Sequence, residues 1–153
     1  HLFTFALPGF NFRSTELNAV LGIGQMNKLD NNIEIRKRNL NQWLKELDEN
    51  KFFTNYNISG NSNFALPLVL KDNDENLLCN VKSLLEKMNV EYRLGTAGGG
   101  NLSRQPFVKN IIHRIVDNQE KVNFIHDFGL YIGNGEHVKS ETITNVTQAL
   151  NKL

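Results

Sequence analysis

Cysteine is almost absent from this chain: Cys79 is the only one in 153 residues. One thiol makes no intrachain disulfide and no cysteine-cluster metal site, and such thrift fits a reducing compartment. Long apolar runs are missing as well, none approaching the roughly 20 residues that a membrane-spanning helix needs. No leader-like segment is read at the start, which is His1 rather than methionine. An excess of one charge is also lacking. The 17 Lys and Arg nearly cancel the 16 Asp and Glu, leaving a formal +1, so no global field steers the chain to nucleic acid or to a membrane surface. The four histidines, His1, His113, His126 and His137, lack metal-ligand spacing and an accompanying acidic cluster, and read as surface or helix-end residues. No metal site is expected.

What is present is enough apolar content for one core. Residues 14–29 are nearly all apolar after Glu16 and predict a buried helix capped by Ser14 or Thr15. Ala19, Gly22 and Gly24 would let another element approach its backbone. Asp30 is read as the cap of a second helix running to about residue 50, with Ile33, Leu40, Trp43, Leu44 and Leu47 as its inner stripe. An Asn-rich loop follows. Residues 64–70 predict a strand that Pro67 confines to an edge or a bulge. Asp72 to Asp74 cap a helix in which Leu77, Leu78, Val81, Leu84, Leu85 and Met88 recur at helical spacing, with Cys79 placed among them. Residues 90–94 alternate as a half-buried strand. A short helix over 122–127 ends at Gly129, residues 130–132 form a strand, and Ser140 caps a last helix. The fold class is α/β: a short three-stranded sheet with helices packed on it, preceded by two long helices. Residues 1–50 form the connector and 51–153 the small α/β domain, together one structural unit.

The candidate chemistry is that of binding. Pro8-Gly9-Phe10-Asn11-Phe12-Arg13-Ser14-Thr15-Glu16 is a turn that brings Asn11 and Arg13 to a helix entry, where anions are favoured. Gly98-Gly99-Gly100 lacks the Lys-Ser/Thr of a P-loop and the strand–GxGxxG–helix setting of a dinucleotide site. A Ser103, His126 and Asp127 triad has no nucleophile-elbow context. Asn11, Arg13, Arg93, Asn101, Arg104 and Gln105 remain as binders of anions and hydroxyls, with no general base and orienting partner among them. No catalytic residue is assigned.

The motif at residues 8–16, continued by Ala19, Gly22, Gln25 and Lys28-Leu29, resembles the DegT/DnrJ-type sugar aminotransferases, which are fold-type I pyridoxal-phosphate enzymes. Arg93 with Gly100-Asn101-Leu102-Ser103-Arg104-Gln105-Pro106 resembles the sugar-nucleotide 3-dehydratase branch of that family. Gly129-Leu130-Tyr131-Ile132-Gly133-Asn134 is similar to a late strand of its small domain. The resemblance implies the C-terminal small domain of a longer cytoplasmic homodimer that uses pyridoxal 5'-phosphate and a nucleotide-linked keto-sugar. Asn11 and Arg13 would serve the cofactor phosphate of the neighbouring subunit. Arg93, Asn101, Arg104 and Gln105 would wall the sugar side. In the family the Schiff-base lysine, replaced by histidine in the dehydratases, precedes the matching segment. This chain alone is therefore expected to be inactive and to hold no cofactor. The expected parent activity is sugar-nucleotide amino transfer, with keto-deoxysugar 3-dehydration as the alternative. A free-standing binding or oligomerisation module is the alternative of another class.

Overall fold

The computed structural model describes residues 4–7, 9, 14–97 and 100–153. Its sheet has three strands, β1 (Ala65–Val69), β2 (Tyr92–Leu94) and β3 (Gly129–Gly133), in the order β1-β3-β2. Both neighbours run antiparallel to the central β3, with Leu66 opposite Ile132, Leu68 opposite Leu130, and Arg93 opposite Tyr131. Alternation along the strands divides the sheet into two faces. Leu66, Leu68, Leu130 and Ile132 point into the core and are at most 6% exposed. Pro67, Tyr131 and Arg93 lie on the opposite face.

β1 is an edge strand, as its proline requires, and the carbonyl of Pro67 accepts a 2.7 Å hydrogen bond from Trp43 Nε1. Further along, Phe52 bridges Leu70 in antiparallel fashion. The edge is therefore partly covered, which limits pairing with another chain.

Among the described residues five α-helices accompany the sheet: α1 (Glu16–Met26), α2 (Leu29–Glu46), α3 (Glu75–Lys87), α4 (Glu120–Phe128) and α5 (Ser140–Asn151). After β2, among the described residues, come 3₁₀ helices at Leu102–Arg104 and Pro106–Asn110. Trp43, Phe52, Val81, Leu85 and Leu150 are wholly buried together with the inner sheet face. Each buried Leu or Val is worth about 1.5–3 kcal/mol relative to an exposed one, so the core lies between the sheet and helices α2, α3 and α5. A polar clip closes one end: Asn39 Nδ2 donates to Asn134 Oδ1, and Asn134 Nδ2 donates to the carbonyls of Arg36 and Asn63.

Several local expectations are corrected. No residue of α1 is buried, and Leu17, Val20, Leu21, Ile23 and Met26 are each 66–77% exposed. Among the described residues nothing approaches Gly22 or Gly24 within 4 Å of an added Cβ. Apolar composition reports that a helix wants cover, not where the cover is. The cap itself is Thr15, in a reciprocal capping box with Asn18. Helix α2 starts one residue before Asp30, which lies in its first turn, and Lys28 makes no side-chain cap bond. Likewise Ser140 is the first residue of α5, and its hydroxyl donates to Gln42 Oε1. Cys79 is exposed, because it falls between the buried rows of α3. Asp74 caps α3 by accepting from the Leu77 amide, as expected.

Candidate functional site

Strand alternation turns Tyr92 and Leu94 inward and Arg93 outward. The Arg93 guanidinium is exposed and meets Glu91 at 3.4 Å. Arg93 lines a groove of about 590 Å³ together with Phe64, Glu91, Tyr131 and His137. Phe64 and Tyr131 meet edge to face there, with ring centroids 6.0 Å apart. One wall thus combines a cation with two aromatic surfaces.

The chain leaving β2 turns back onto α4. Gly95 donates to the Gly129 carbonyl at 2.6 Å, and a Cβ on either glycine would collide with the Ile125 carbonyl. Gly100 has a φ of +56°, and a Cβ there would collide with the His126 ring. Glycine is required at this point both by conformation and by space.

Asn101 is 4% exposed and its side chain is fully engaged. Its Oδ1 accepts from the Ser103 amide and hydroxyl, while Nδ2 donates to Asn123 Oδ1 at 2.8 Å and Gln119 Oε1 at 3.3 Å. Its backbone N–H donates to His126 Nδ1 at 2.9 Å. That bond assigns the ring proton to Nε2 in the neutral imidazole. The His126 pKa lies below the ordinary histidine value, chiefly through burial, then through Arg104, with Asp127 opposing.

Arg104 holds both carboxylate oxygens of Asp127 through Nη1, at 2.9 and 3.1 Å, on a half-exposed surface. Gln105 is 7% exposed and accepts from the Phe5 amide at 2.9 Å. The Phe107 amide in turn donates to the Phe5 carbonyl. This ties residue 5 to the loop.

The structure therefore brings Asn101, Arg104 and Gln105 into one loop on α4 and sets Arg93 on the outer sheet face. Asn101 and Gln105 are occupied with internal bonds, so the guanidiniums of Arg93 and Arg104 are the groups that face outward. Asn11 and Arg13 lie outside the described residues. The Ser103, His126 and Asp127 triad does not assemble: Ser103 Oγ bonds Asn101 and Gln119, and His126 Nδ1 is taken by the Asn101 amide. Sequence reasoning missed Gln119, Asn123 and His126 as the loop's anchor. Asn123 and His126, three residues apart, share one face of α4, and that spacing was the available signal, whereas Gln119 stands at the helix N-cap. Among the described residues no group of three or more His, Cys, Asp or Glu could hold a metal ion. No helix among them is long and apolar enough to cross a membrane.

The DegT/DnrJ/EryC1/StrS aminotransferase family matches residues 2–151. A GDP-4-keto-6-deoxy-D-mannose 3-dehydratase of Yersinia pseudotuberculosis is 27% identical over 151 residues, covering 98% of this chain and 38% of that protein. A UDP-4-amino-4,6-dideoxy-N-acetyl-beta-L-altrosamine transaminase of Campylobacter jejuni subsp. jejuni serotype O:2 is 38% identical over 50 residues, or 33% of this chain and 13% of that protein. Among solved structures, the E. coli GDP-4-keto-6-deoxy-D-mannose-3-dehydratase with bound hydrated PLP superposes with a TM-score of 0.78. It is 23% identical and covers 97% of this chain and 38% of that one, a likeness of fold. The chain spans about a third to two fifths of the length of the dehydratases it matches.

Proposed function

Because the chain belongs to the DegT/DnrJ/EryC1/StrS aminotransferase family, we propose that it is the C-terminal small domain of a cytoplasmic, homodimeric enzyme that uses pyridoxal phosphate on a nucleotide-linked keto-sugar. The observation that carries this reading is the similarity to a GDP-4-keto-6-deoxy-D-mannose 3-dehydratase along 98% of the chain. The same observation favours removal of a ring hydroxyl over amino transfer. Amino transfer remains the second reading, supported by the 50-residue similarity to a transaminase. Residues 1–50 would connect to the larger part of the enzyme, and residues 51–153 would form the small domain proper.

The described residues fit only the rim of a cofactor site. None of their lysines is buried, so no covalent anchor in a desolvated setting is present. The first turn of α1 is already served by the Thr15–Asn18 capping box and carries Glu16, which disfavours a second anion there. Contact with the cofactor phosphate would fall to Asn11 and Arg13, and would reach the neighbouring subunit. When bound, pyridoxal phosphate supplies the electron sink for the chemistry. This chain supplies orientation: Arg93 and Arg104 bind, while Asn101 and Gln105 hold the loop that carries Arg104.

Two experiments test the proposal. The first sequences the coding region upstream of His1. A cofactor-site histidine there supports dehydration, and a lysine supports amino transfer. A start codon just before His1 would favour a free-standing module. The second incubates the full-length enzyme with a GDP-linked 4-keto-6-deoxy sugar and an amino donor. Loss of the ring hydroxyl is the expected product change, and an added amino group overturns the dehydratase reading.

A further inference from the structure

The loop that carries Arg104 hangs from α4 by a specific contact. Gly100 passes over the His126 ring so closely that no Cβ fits, and the next amide, that of Asn101, donates to Nδ1 at 2.9 Å. The Asn101 side chain then locks to Gln119 and Asn123, the former just before α4 and the latter within it. Three residues on, Arg104 closes on Asp127, the neighbour of His126 in sequence. Backbone, amide side chain and guanidinium thus fasten the loop to one stretch of helix. The only titratable acceptor among these fastenings that works as a neutral base is the imidazole.

We propose that His126 is a positioning residue: its unprotonated Nδ1 latches the 100–105 loop to α4 and so fixes where Arg104 presents its guanidinium. A proton on Nδ1 would place a donor against the Asn101 N–H and break the latch. The charged groups acting on the ring are Arg104, which together with burial keeps it neutral, and Asp127, which favours the charged form. The latch is therefore closed at neutral pH and opens as pH falls below the ordinary histidine range. The latch would make the orientation of Arg104 pH-sensitive. Its consequence for the substrate rests on the sugar-wall reading above, but the latch itself does not.

The test is nitrogen-15 NMR on the 153-residue chain, following the His126 ring nitrogens and amide exchange from about pH 7.5 to about pH 5. The expected result is the Nε2–H tautomer at the upper pH. Asn101 protection should then fall on acidification while protection at Val81 and Leu150 in the core persists. His126→Phe removes the acceptor and should lower Asn101 protection by about tenfold. His126→Asn, which keeps an oxygen near the Nδ1 position, should restore most of the protection and abolish the pH step. An Nδ1–H tautomer, or Asn101 protection that ignores both pH and His126→Phe, would overturn the latch. If Arg104→Ala leaves nucleotide-sugar affinity of the full enzyme unchanged, the wall reading falls alone, since the NMR outcomes do not depend on it.

Discussion

Asn134 is 1% exposed at the end of β3, and truncating it to alanine probes the polar clip that joins α2 to the sheet. Three side-chain hydrogen bonds vanish: the one accepted from Asn39 Nδ2 at 3.1 Å, and those donated to the carbonyls of Arg36 at 3.0 Å and Asn63 at 2.9 Å. The backbone bond from its amide to Phe64 survives. Each lost bond removes about 1 kcal/mol net, and a buried partner left unsatisfied adds about 1–3 kcal/mol. Since Asn39 Nδ2 still reaches the Val138 carbonyl at 3.4 Å, a total of about 3–4 kcal/mol is expected. In a domain of this size that lowers Tm by about 10 °C.

Urea unfolding followed by circular dichroism measures this as a shift in midpoint at constant m. Asn134→Asp provides the control. A carboxylate accepts only, so it would face both carbonyls with lone pairs and bury a charge, costing more than alanine at neutral pH. Its folded pKa would be raised, so the destabilisation should diminish as pH falls through that raised value. Asn39→Ala combined with Asn134→Ala should cost about 1 kcal/mol less than the sum, because the two share a bond. An alanine variant within about 0.5 kcal/mol of the parent, or equal stability of the Asp and Ala variants at neutral pH, would refute the clip as a stabilising element.

Trp43→Phe, which deletes the 2.7 Å bond to the Pro67 carbonyl, should destabilise by about 1–3 kcal/mol in urea melts read by circular dichroism. The Tyr56 hydroxyl is buried without a partner among the described residues, and burial pushes its pKa up to about 12. Because the folded value lies above the unfolded one of about 10, stability should be intact below that pH and fall as pH rises from there towards the folded value. Tyr56→Phe should lose this alkaline fall and be at least as stable at neutral pH, as urea midpoints at both pH values would show. Gly100→Ala, at a φ of +56°, should cost about 1–2 kcal/mol for the left-handed backbone alone, and Asn101 amide exchange should accelerate as the loop is pushed off His126.

Local signals in the sequence carried far. Asp72 to Asp74 before a Leu-rich periodic run marked α3 and its cap, and Pro67 confined β1 to an edge or a bulge, of which the edge is found, because capping and the missing proline N–H act within a few residues. Pairing order was not legible in the same way. That β3 lies between β1 and β2 depends on contacts between residues more than 30 apart in the chain, and no periodicity encodes them. The burial of α1 was misread for a related reason, since composition names the need for a partner and not its position. The loop at 100–105 shows a third limit. Its polar residues were recognisable as binders, but only the fold brings Asn101 to spend its groups on Ser103, Gln119 and Asn123, and Gln105 to accept from Phe5.

On the function proposed, the two outward guanidiniums suit different parts of a nucleotide sugar. Arg93 meets Glu91 through one 3.4 Å contact between well-exposed side chains. Such a pair is worth about 0–1 kcal/mol, so an incoming phosphate displaces Glu91 at little cost. Arg104 is different: Nη1 already holds both oxygens of Asp127. A phosphate arriving there would meet the carboxylate's charge as well as the arginine's, whereas a neutral hydroxyl could accept from the remaining guanidinium donors without that opposition. Arg93→Ala should therefore weaken binding of the nucleoside diphosphate alone by roughly tenfold or more, the loss of a charge-assisted bond, and reduce its salt sensitivity. Arg104→Ala should spare the nucleoside diphosphate and weaken only the sugar-bearing ligand. Calorimetry on the full enzyme with both ligands separates these effects, and equal losses for both ligands in both variants would show that the guanidiniums are not divided in this way.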